Sequence, residues 1–250
     1  MLYYETYGAG EPVVFIHGVG VTSRVWEFQR EELSKHFRMI VYDLRGSGKS
    51  QKTPGMFHTC ELMAEDLKGL LDHLQLKRVN IVGISLGACI AMKLAIEYPE
   101  TVGRLVLTGA FADFRGVLSF VTRHLAHIIG RMLMTRTFGE LATKIMLPSS
   151  TGEKLLYYHR NIISIDRDEV VKYSQILRSY KITSALGKIK SPAIILYGQY
   201  EWGLHKYGRL IRERVKDSRM VVIPGVGHGW NGENPGLFNR TVLDFLLSQT

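Results

Sequence analysis

The sequence predicts the α/β class, a mostly parallel central sheet with helices on both faces. Two observations carry this. Short apolar runs rich in Val and Ile alternate with longer stretches whose apolar residues recur at helical spacing. Several of the runs end on glycine-rich turns, the punctuation expected where a strand hands over to the next element.

Taken in order, 3–7 and 13–16 read as strands around the turn Gly8-Ala9-Gly10-Glu11-Pro12, and 38–42 as a third. Over 59–74, Leu62, Met63, Leu67, Leu70, Leu71 and Leu74 share one broad helical face. A strand over 79–83, a helix over 86–97 and a strand over 104–108 continue the alternation, and strands over 192–197 and 219–223 precede a closing helix over 237–247. The alternation fails between 113 and 185, which reads as helices over 117–134, 138–146, 152–163 and 168–179. The expected organisation is a core domain built from 1–112 and 186–250, with a helical cap, 113–185, inserted into it.

Bulk properties fit one such domain. A chain of 250 residues with 46% apolar content can bury a substantial core. No apolar run is long enough to span a bilayer, and the first residues carry neither a basic n-region nor an apolar signal core. Cys60 and Cys89 do not make a disulfide framework and are expected as buried small residues in a reducing compartment. These features predict a cytoplasmic protein without stable membrane insertion. The net charge is +9, but Lys and Arg read as scattered and no nucleic-acid motif accompanies them. A generally basic solvated surface is expected, not nucleic-acid binding, and a preference for anionic substrates stays open. No repeat or low-complexity linker is present, and the oligomeric state is not legible.

The most informative motif is Gly83-Ile84-Ser85-Leu86-Gly87, between the apolar run ending at Val82 and a helix-forming stretch. A G-x-S-x-G pentapeptide between strand and helix is the form of a nucleophile elbow, whose tight turn needs flanking residues nearly free of side chain. Alone the pattern is also met in ordinary glycine-rich turns. Its weight comes from two residues later in the chain. Glu201 lies just beyond the run 193–197, and His228 lies in the loop Pro224-Gly225-Val226-Gly227-His228-Gly229 beyond the run 220–223. Serine is a weak nucleophile that needs a base within hydrogen-bond reach, and the base needs an acid to fix its tautomer. The chain order Ser85, Glu201, His228 is the one that triad partners follow after a nucleophile elbow.

Three further segments sharpen the reading. His17-Gly18-Val19-Gly20 comes after the strand over 13–16, Asp43-Leu44-Arg45-Gly46-Ser47-Gly48-Lys49-Ser50 after the strand over 38–42, and Glu233-Asn234-Pro235 with Phe238-Asn239 after Gly227-His228. Together with the elbow these resemble the α/β-hydrolase family over nearly the whole chain. The resemblance implies Ser85 as nucleophile, His228 as base and Glu201 as acid. It also implies an oxyanion hole from the backbone N–H groups of Val19 and Leu86, and a cap that shapes the substrate pocket, with no cofactor and no metal. The family usually places aspartate where Glu201 stands, so Asp113, after the neighbouring strand, is the alternative acid. Phe114, Phe120, Met132, Met134, Phe138, Met146 and Tyr157 are candidates to line an apolar substrate pocket, as is Trp202, which could also keep water from the acid; each also reads as ordinary packing.

Two decoys are set aside. Arg45-Gly46-Ser47-Gly48-Lys49-Ser50 resembles the end of a phosphate-binding loop, but Asp43 stands where that motif needs glycine. His124 and His127 lack an acidic or cysteine partner at ligand spacing. The expected activity is a serine hydrolase acting on a small-molecule carboxylic ester, a carboxylesterase of small to medium hydrophobic acyl or aryl esters. A lactonase is the alternative within that chemistry, and a non-turnover small-molecule receptor or signalling protein the alternative outside it.

Overall fold

The computed structural model describes residues 1–52, 58–113, 144, 147–150, 157, 169, 172–173, 176 and 180–248. Seven strands form one sheet: β1 (Tyr4–Tyr7), β2 (Pro12–Ile16), β3 (Arg38–Tyr42), β4 (Val79–Ile84), β5 (Val102–Thr108), β6 (Ala193–Gly198) and β7 (Ser218–Ile223). Their spatial order is β1-β3-β2-β4-β5-β6-β7, with β1 antiparallel to β3 and every other pairing parallel. The described helices are α1 (Glu27–Leu33), α2 (Cys60–His73), α3 (Leu86–Glu97), α4 (His205–Arg214), α5 (Trp230–Glu233) and α6 (Pro235–Leu247).

The period of two along each strand divides the core between two faces. Val14, Ile16, Leu105, Leu107 and Ile195 meet α2 and α3 through Leu67, Leu71, Ile90 and Leu94. Val13, Phe15, Val82, Ile84, Val106 and Leu196 meet Trp26, Trp230, Phe238 and Val242 on the other side. Both faces are covered, which is why the central strands are apolar throughout rather than alternating. Helix ends are set locally. Thr59 caps α2 by accepting from Leu62 N–H (3.1 Å), and Asn234 caps α6 by accepting from Leu237 N–H (3.2 Å) with Pro235 opening the helix.

The strands expected from sequence are found within one or two residues of their expected bounds. Helices α1, α4 and α5 were not among the sequence expectations. Most of 113–185 lies outside the described residues, and with it Phe114, Phe120, His124, His127, Met132, Met134, Phe138 and Met146. Among the described residues no helix is long and apolar enough to cross a membrane, and both cysteines are buried free thiols.

The order of strands places the site. β2 sends its connection to β3 on one side while β4 lies on its other side, a topological switch of the kind that opens a crevice at the carboxyl ends of a parallel sheet. Closing that end demands very close backbone approach. A Cβ on Gly87 would stand 2.1 Å from the Ile16 carbonyl oxygen. Gly87→Ala is therefore expected to lower the unfolding free energy by about 1–3 kcal/mol with an unchanged urea m-value. An unaltered midpoint would mean that α3 moves off β2 without penalty.

Candidate active site

Ser85 occupies the turn between β4 and α3 with φ 55° and ψ −116°. An L-residue pays on the order of 1–3 kcal/mol for such angles, so the surroundings must over-determine them. They do so through hydrogen bonds. Ser85 N–H donates to the Thr108 carbonyl (2.8 Å), while its own carbonyl accepts from Ala88 N–H (3.0 Å) and Cys89 N–H (3.2 Å). The flanking glycines are sterically required. A Cβ on Gly83 would lie 2.6 Å from the Gly87 carbonyl group, and one on Gly18 only 3.1 Å from the Ser85 Cβ. The loop after β2 therefore lies directly against the serine.

His228 and Glu201 meet beside the same turn. Glu201 closes a 3-10 turn, Gln199–Glu201, after β6. That turn folds its side chain back, so Oε2 accepts from Gly198 N–H (2.5 Å) and Oε1 lies 2.6 Å from His228 Nδ1. The carboxylate is thus held at both oxygens, which is how the longer glutamate fits a position where the family usually has aspartate. Its side chain is 3% exposed and that of His228 18%. Burial pulls the His228 ring down, but the Glu201 charge and hydrogen bond, with a smaller contribution from Glu233, leave it raised above its ordinary value. Gly109 marks where the parts converge. A Cβ there would stand 2.5 Å from His228 Cε1 and 3.2 Å from Glu201 Oε1, and the preceding residue, Thr108, is the one that accepts from Ser85 N–H.

Neighbouring groups fix the loops. The Thr108 hydroxyl accepts from Trp230 Nε1 (2.7 Å), which ties the His228 loop to the end of β5. Glu233 takes Gly227 N–H on one oxygen (2.7 Å) and Ser149 N–H on the other (2.9 Å), joining that loop to the end of the 147–150 segment. His17 is fully buried. Its Nε2 accepts from Leu44 N–H (3.0 Å), so Nδ1 carries the proton and donates to the Gly18 carbonyl (2.8 Å). Burial lowers its pKa, outweighing the Gly18 bond and the Asp43 charge, and the ring serves as a neutral clamp on the loop that presents Val19. Leu86 opens α3, where a backbone N–H has no carbonyl one turn back within the helix.

The phosphate-loop look-alike is a structural turn. Asp43 accepts Ser23 N–H (2.8 Å) on Oδ1 and Lys49 N–H (2.9 Å) on Oδ2, and a Cβ on Gly48 would lie 2.2 Å from that same Oδ2. Arg45 forms a two-pronged pair with Asp66 at 2.5 and 2.6 Å.

Ser85, Glu201, His228, Val19 and Leu86 thus lie at the carboxyl end of the parallel strands. The carboxylate that accepts from His228 Nδ1 is that of Glu201; Asp113 makes a backbone bridge with Lys181. Trp202 points away, 80% exposed, so the cover over Glu201 comes from its own turn and from Gly109. Tyr157 packs edge-on against Phe28 (5.3 Å between centroids) and its hydroxyl donates to the Arg24 carbonyl. The buried roles of His17 and Trp230 were not read from sequence. The histidine could have been singled out by its place between an apolar strand and two glycines, whereas nothing local announces the bond from Trp230 to Thr108.

A strained serine turn at the switch point of a seven-stranded sheet, with a carboxylate-bound histidine on a later loop, defines an α/β hydrolase-type architecture. The chain belongs to the alpha/beta hydrolase fold family, whose model matches residues 11–235. It is 26% identical to the putative carbamate hydrolase RutD of a Caulobacter species, across 99% of this chain and 96% of that protein. It is 42% identical to a 2-hydroxy-6-oxo-2,4-heptadienoate hydrolase of Pseudomonas putida, but over only 41% of this chain and 38% of that one. Among solved structures, a thermophilic esterase from Thermogutta terrifontis superposes with a TM-score of 0.85 at 27% identity, covering 98% of this chain and 92% of the esterase.

The balance at His228 is measurable. Its ring is expected to titrate above about 6.5 by NMR, and to fall below that value in Glu201→Gln, where desolvation remains and the charge is gone. A raised folded-state pKa stabilises the protein fully at pH below the unfolded value, and the effect disappears as pH climbs through the folded value. An unchanged ring titration in Glu201→Gln would remove the carboxylate as its cause.

Proposed function

We propose that this protein is a serine hydrolase that cleaves carboxylic esters through an acyl-enzyme, with Ser85 as nucleophile, His228 as base and Glu201 as orienting acid. The observation that carries the reading is the 2.6 Å Glu201–His228 hydrogen bond, formed beside the turn that holds Ser85 in its strained conformation. In this mechanism Nε2 of His228 takes the Ser85 proton as Oγ attacks the ester carbonyl, and then delivers it to the departing alkoxide. Glu201 keeps the Nδ1 proton in place and stabilises the imidazolium without itself being protonated. Negative charge forms on the carbonyl oxygen, where the backbone N–H groups of Leu86 and Val19 receive it; one such donor is worth about a hundredfold or more in rate. Water then repeats the sequence on the acyl-serine.

The 113–185 segment serves in this reading as a helical cap over the site, its apolar residues favouring small to medium hydrophobic acyl or aryl groups. The buried free thiols suit a cytoplasmic enzyme. The names of the relatives define a panel for testing the leaving group: linear esters, lactones, carbamates and a dienoate bearing a vinylogous ketone.

Ser85→Ala is expected to stay folded and lose turnover of p-nitrophenyl esters by at least about 10⁴-fold, and a fluorophosphonate is expected to label Ser85 in the unaltered protein. Glu201→Gln should cost about 10³–10⁴-fold in kcat, whereas Asp113→Asn should leave it nearly unchanged. Because the neutral ring is the base, kcat/KM should decline as pH falls through a value above about 6.5. Undiminished hydrolysis by Ser85→Ala would refute the mechanism, and a single acylation without turnover across the panel would move the protein to the receptor class.

A further inference from the structure

The positive charge is not scattered. The excess lies in the second half of the sequence: residues 181–219 hold nine Lys and Arg against three acids and residues 114–180 ten against five, whereas residues 1–113 hold twelve against thirteen. Of the three acids in 181–219, Glu201 is buried in the candidate site, while Glu213 on α4 and Asp217 just before β7 are exposed among the cations and leave a net excess on that flank. The linear reading missed the concentration because the cations alternate with apolar residues that anchor α4 and β7. In three dimensions they share one flank of the molecule. Lys206, Arg209, Arg212 and Arg214 are exposed along α4, whose other side buries Gly208 and Ile211 against the sheet. The 3-10 turn Thr183–Lys188 abuts the far end of α4, a Cβ on Gly187 lying 3.9 Å from the Arg214 carbonyl oxygen. Ala193 N–H bonds the Asp217 carbonyl (2.9 Å), which brings the stretch before β6 to the start of β7. Lys188, Lys190 and Lys216 are thereby gathered at that end, all exposed. None of these cations forms an ion pair with a described residue.

Local helix energetics explain only part of this row. Arg212 and Arg214 suit the carboxyl end of the helix dipole, but Lys206 stands in the first turn, where a cation is unfavourable and no acid balances it. The opposite end of the same flank is apolar. Trp202 and Tyr200, 80% and 53% exposed, precede α4, and Val222, 42% exposed, stands in register with Tyr197 on the strand beside it. Exposed indole and phenol groups with an aliphatic neighbour, continuous with a row of cations that lack ion-pair partners among the described residues (Lys206 lies over the Tyr207 ring at 5.0 Å), match a bilayer interface of anionic headgroups better than a phosphodiester backbone.

We propose that the α4 flank is a docking surface for anionic lipid bilayers, on which α4 lies along the membrane plane with Trp202 entering the headgroup layer. This goes beyond the hydrolytic reading and does not depend on it. Trp26 and Trp230 are buried, so the indole open to acrylamide in solution is Trp202 and its emission reports the contact directly. The experiment measures acrylamide quenching and co-sedimentation with vesicles of phosphatidylcholine alone, and of phosphatidylcholine with 30 mol% phosphatidylglycerol as a chosen composition of about one-third anionic lipid. Protection of Trp202 and binding are expected on the anionic vesicles only, and both should be lost at high salt. Arg209→Gln/Arg212→Gln should weaken binding about 25-fold, at about fivefold per cation, while hydrolysis of a soluble ester is unchanged. Trp202→Ala should weaken binding and abolish the quenching signal. No binding to anionic vesicles at about 0.1 M salt, or binding indifferent to the Arg pair, would overturn the proposal. Protection by duplex RNA with none by vesicles would reassign the face to nucleic acid.

Discussion

Everything at the carboxyl end of this sheet depends on backbone approaching backbone more closely than a Cβ permits. Gly87 lies against the Ile16 carbonyl, Gly83 against Gly87, Gly198 against the Gly227 carbonyl (2.4 Å for an added Cβ), and Gly109 against the His228 ring. The Gly83 contact closes the Ser85 elbow on itself, and the other three join β4 to β2, β6 to β7 and β5 to β7; with the Ser85 N–H bond to Thr108 they draw the loops after β2, β4, β5, β6 and β7 into one locus. A side chain at any of them would move one loop away and separate groups far apart in sequence. The chemistry proposed for this protein is therefore made possible by missing side chains as much as by the ones that react. It also explains why Ser85 tolerates its backbone angles: the neighbours that would relax them have no room to move.

The same crowding lets one residue type do two jobs. His17 and His228 both sit at the site, but His17 is fully buried with a backbone donor and a backbone acceptor on its two nitrogens, so burial keeps it neutral and it works as a clamp. His228 gives Nδ1 to a carboxylate, and that charge outweighs burial, so the proton is held more firmly than by a free imidazole. The difference lies in the partner, not in the ring. Glu201 supplies this because its turn uses the extra methylene to reach Gly198 N–H as well, leaving the carboxylate little freedom to swing.

Much of this was legible in the sequence because it rests on local rules. Val13 to Ile16 and Ala193 to Tyr197 are apolar on both faces, and only a doubly covered strand needs that. Ser85 between glycines announces a turn too tight for ordinary residues. The order Ser85, Glu201, His228 reflects the order of strands. Other features were not legible because they depend on distant partners. Helix α4 has few apolar positions, and its identity is settled by the Gly208 contact with Tyr197 and Met220. Trp202, directly after Glu201, suggests either a shield for the acid or ordinary packing, but it caps the 3-10 turn on the side away from the acid and the indole faces out. The clustering of charge went unseen for a related reason: distance along the chain is a poor guide to distance across an edge where a helix, a turn and a strand end meet.

That turn after β6 is where the two surfaces of the protein divide. Glu201 points inward and is held on two backbone-fixed hydrogen bonds, while Trp202, one peptide further, stands in solvent at the head of a cationic helix. A rigid inner anchor and an outer aromatic on adjacent residues mean that force or binding on the outer face reaches the acid through a single peptide unit. The inner residue resists such displacement because Gly198 N–H and the His228 ring both restrain it, and β6 behind it is buried along its full length. The turn can thus carry an exposed docking group without surrendering the geometry of the site.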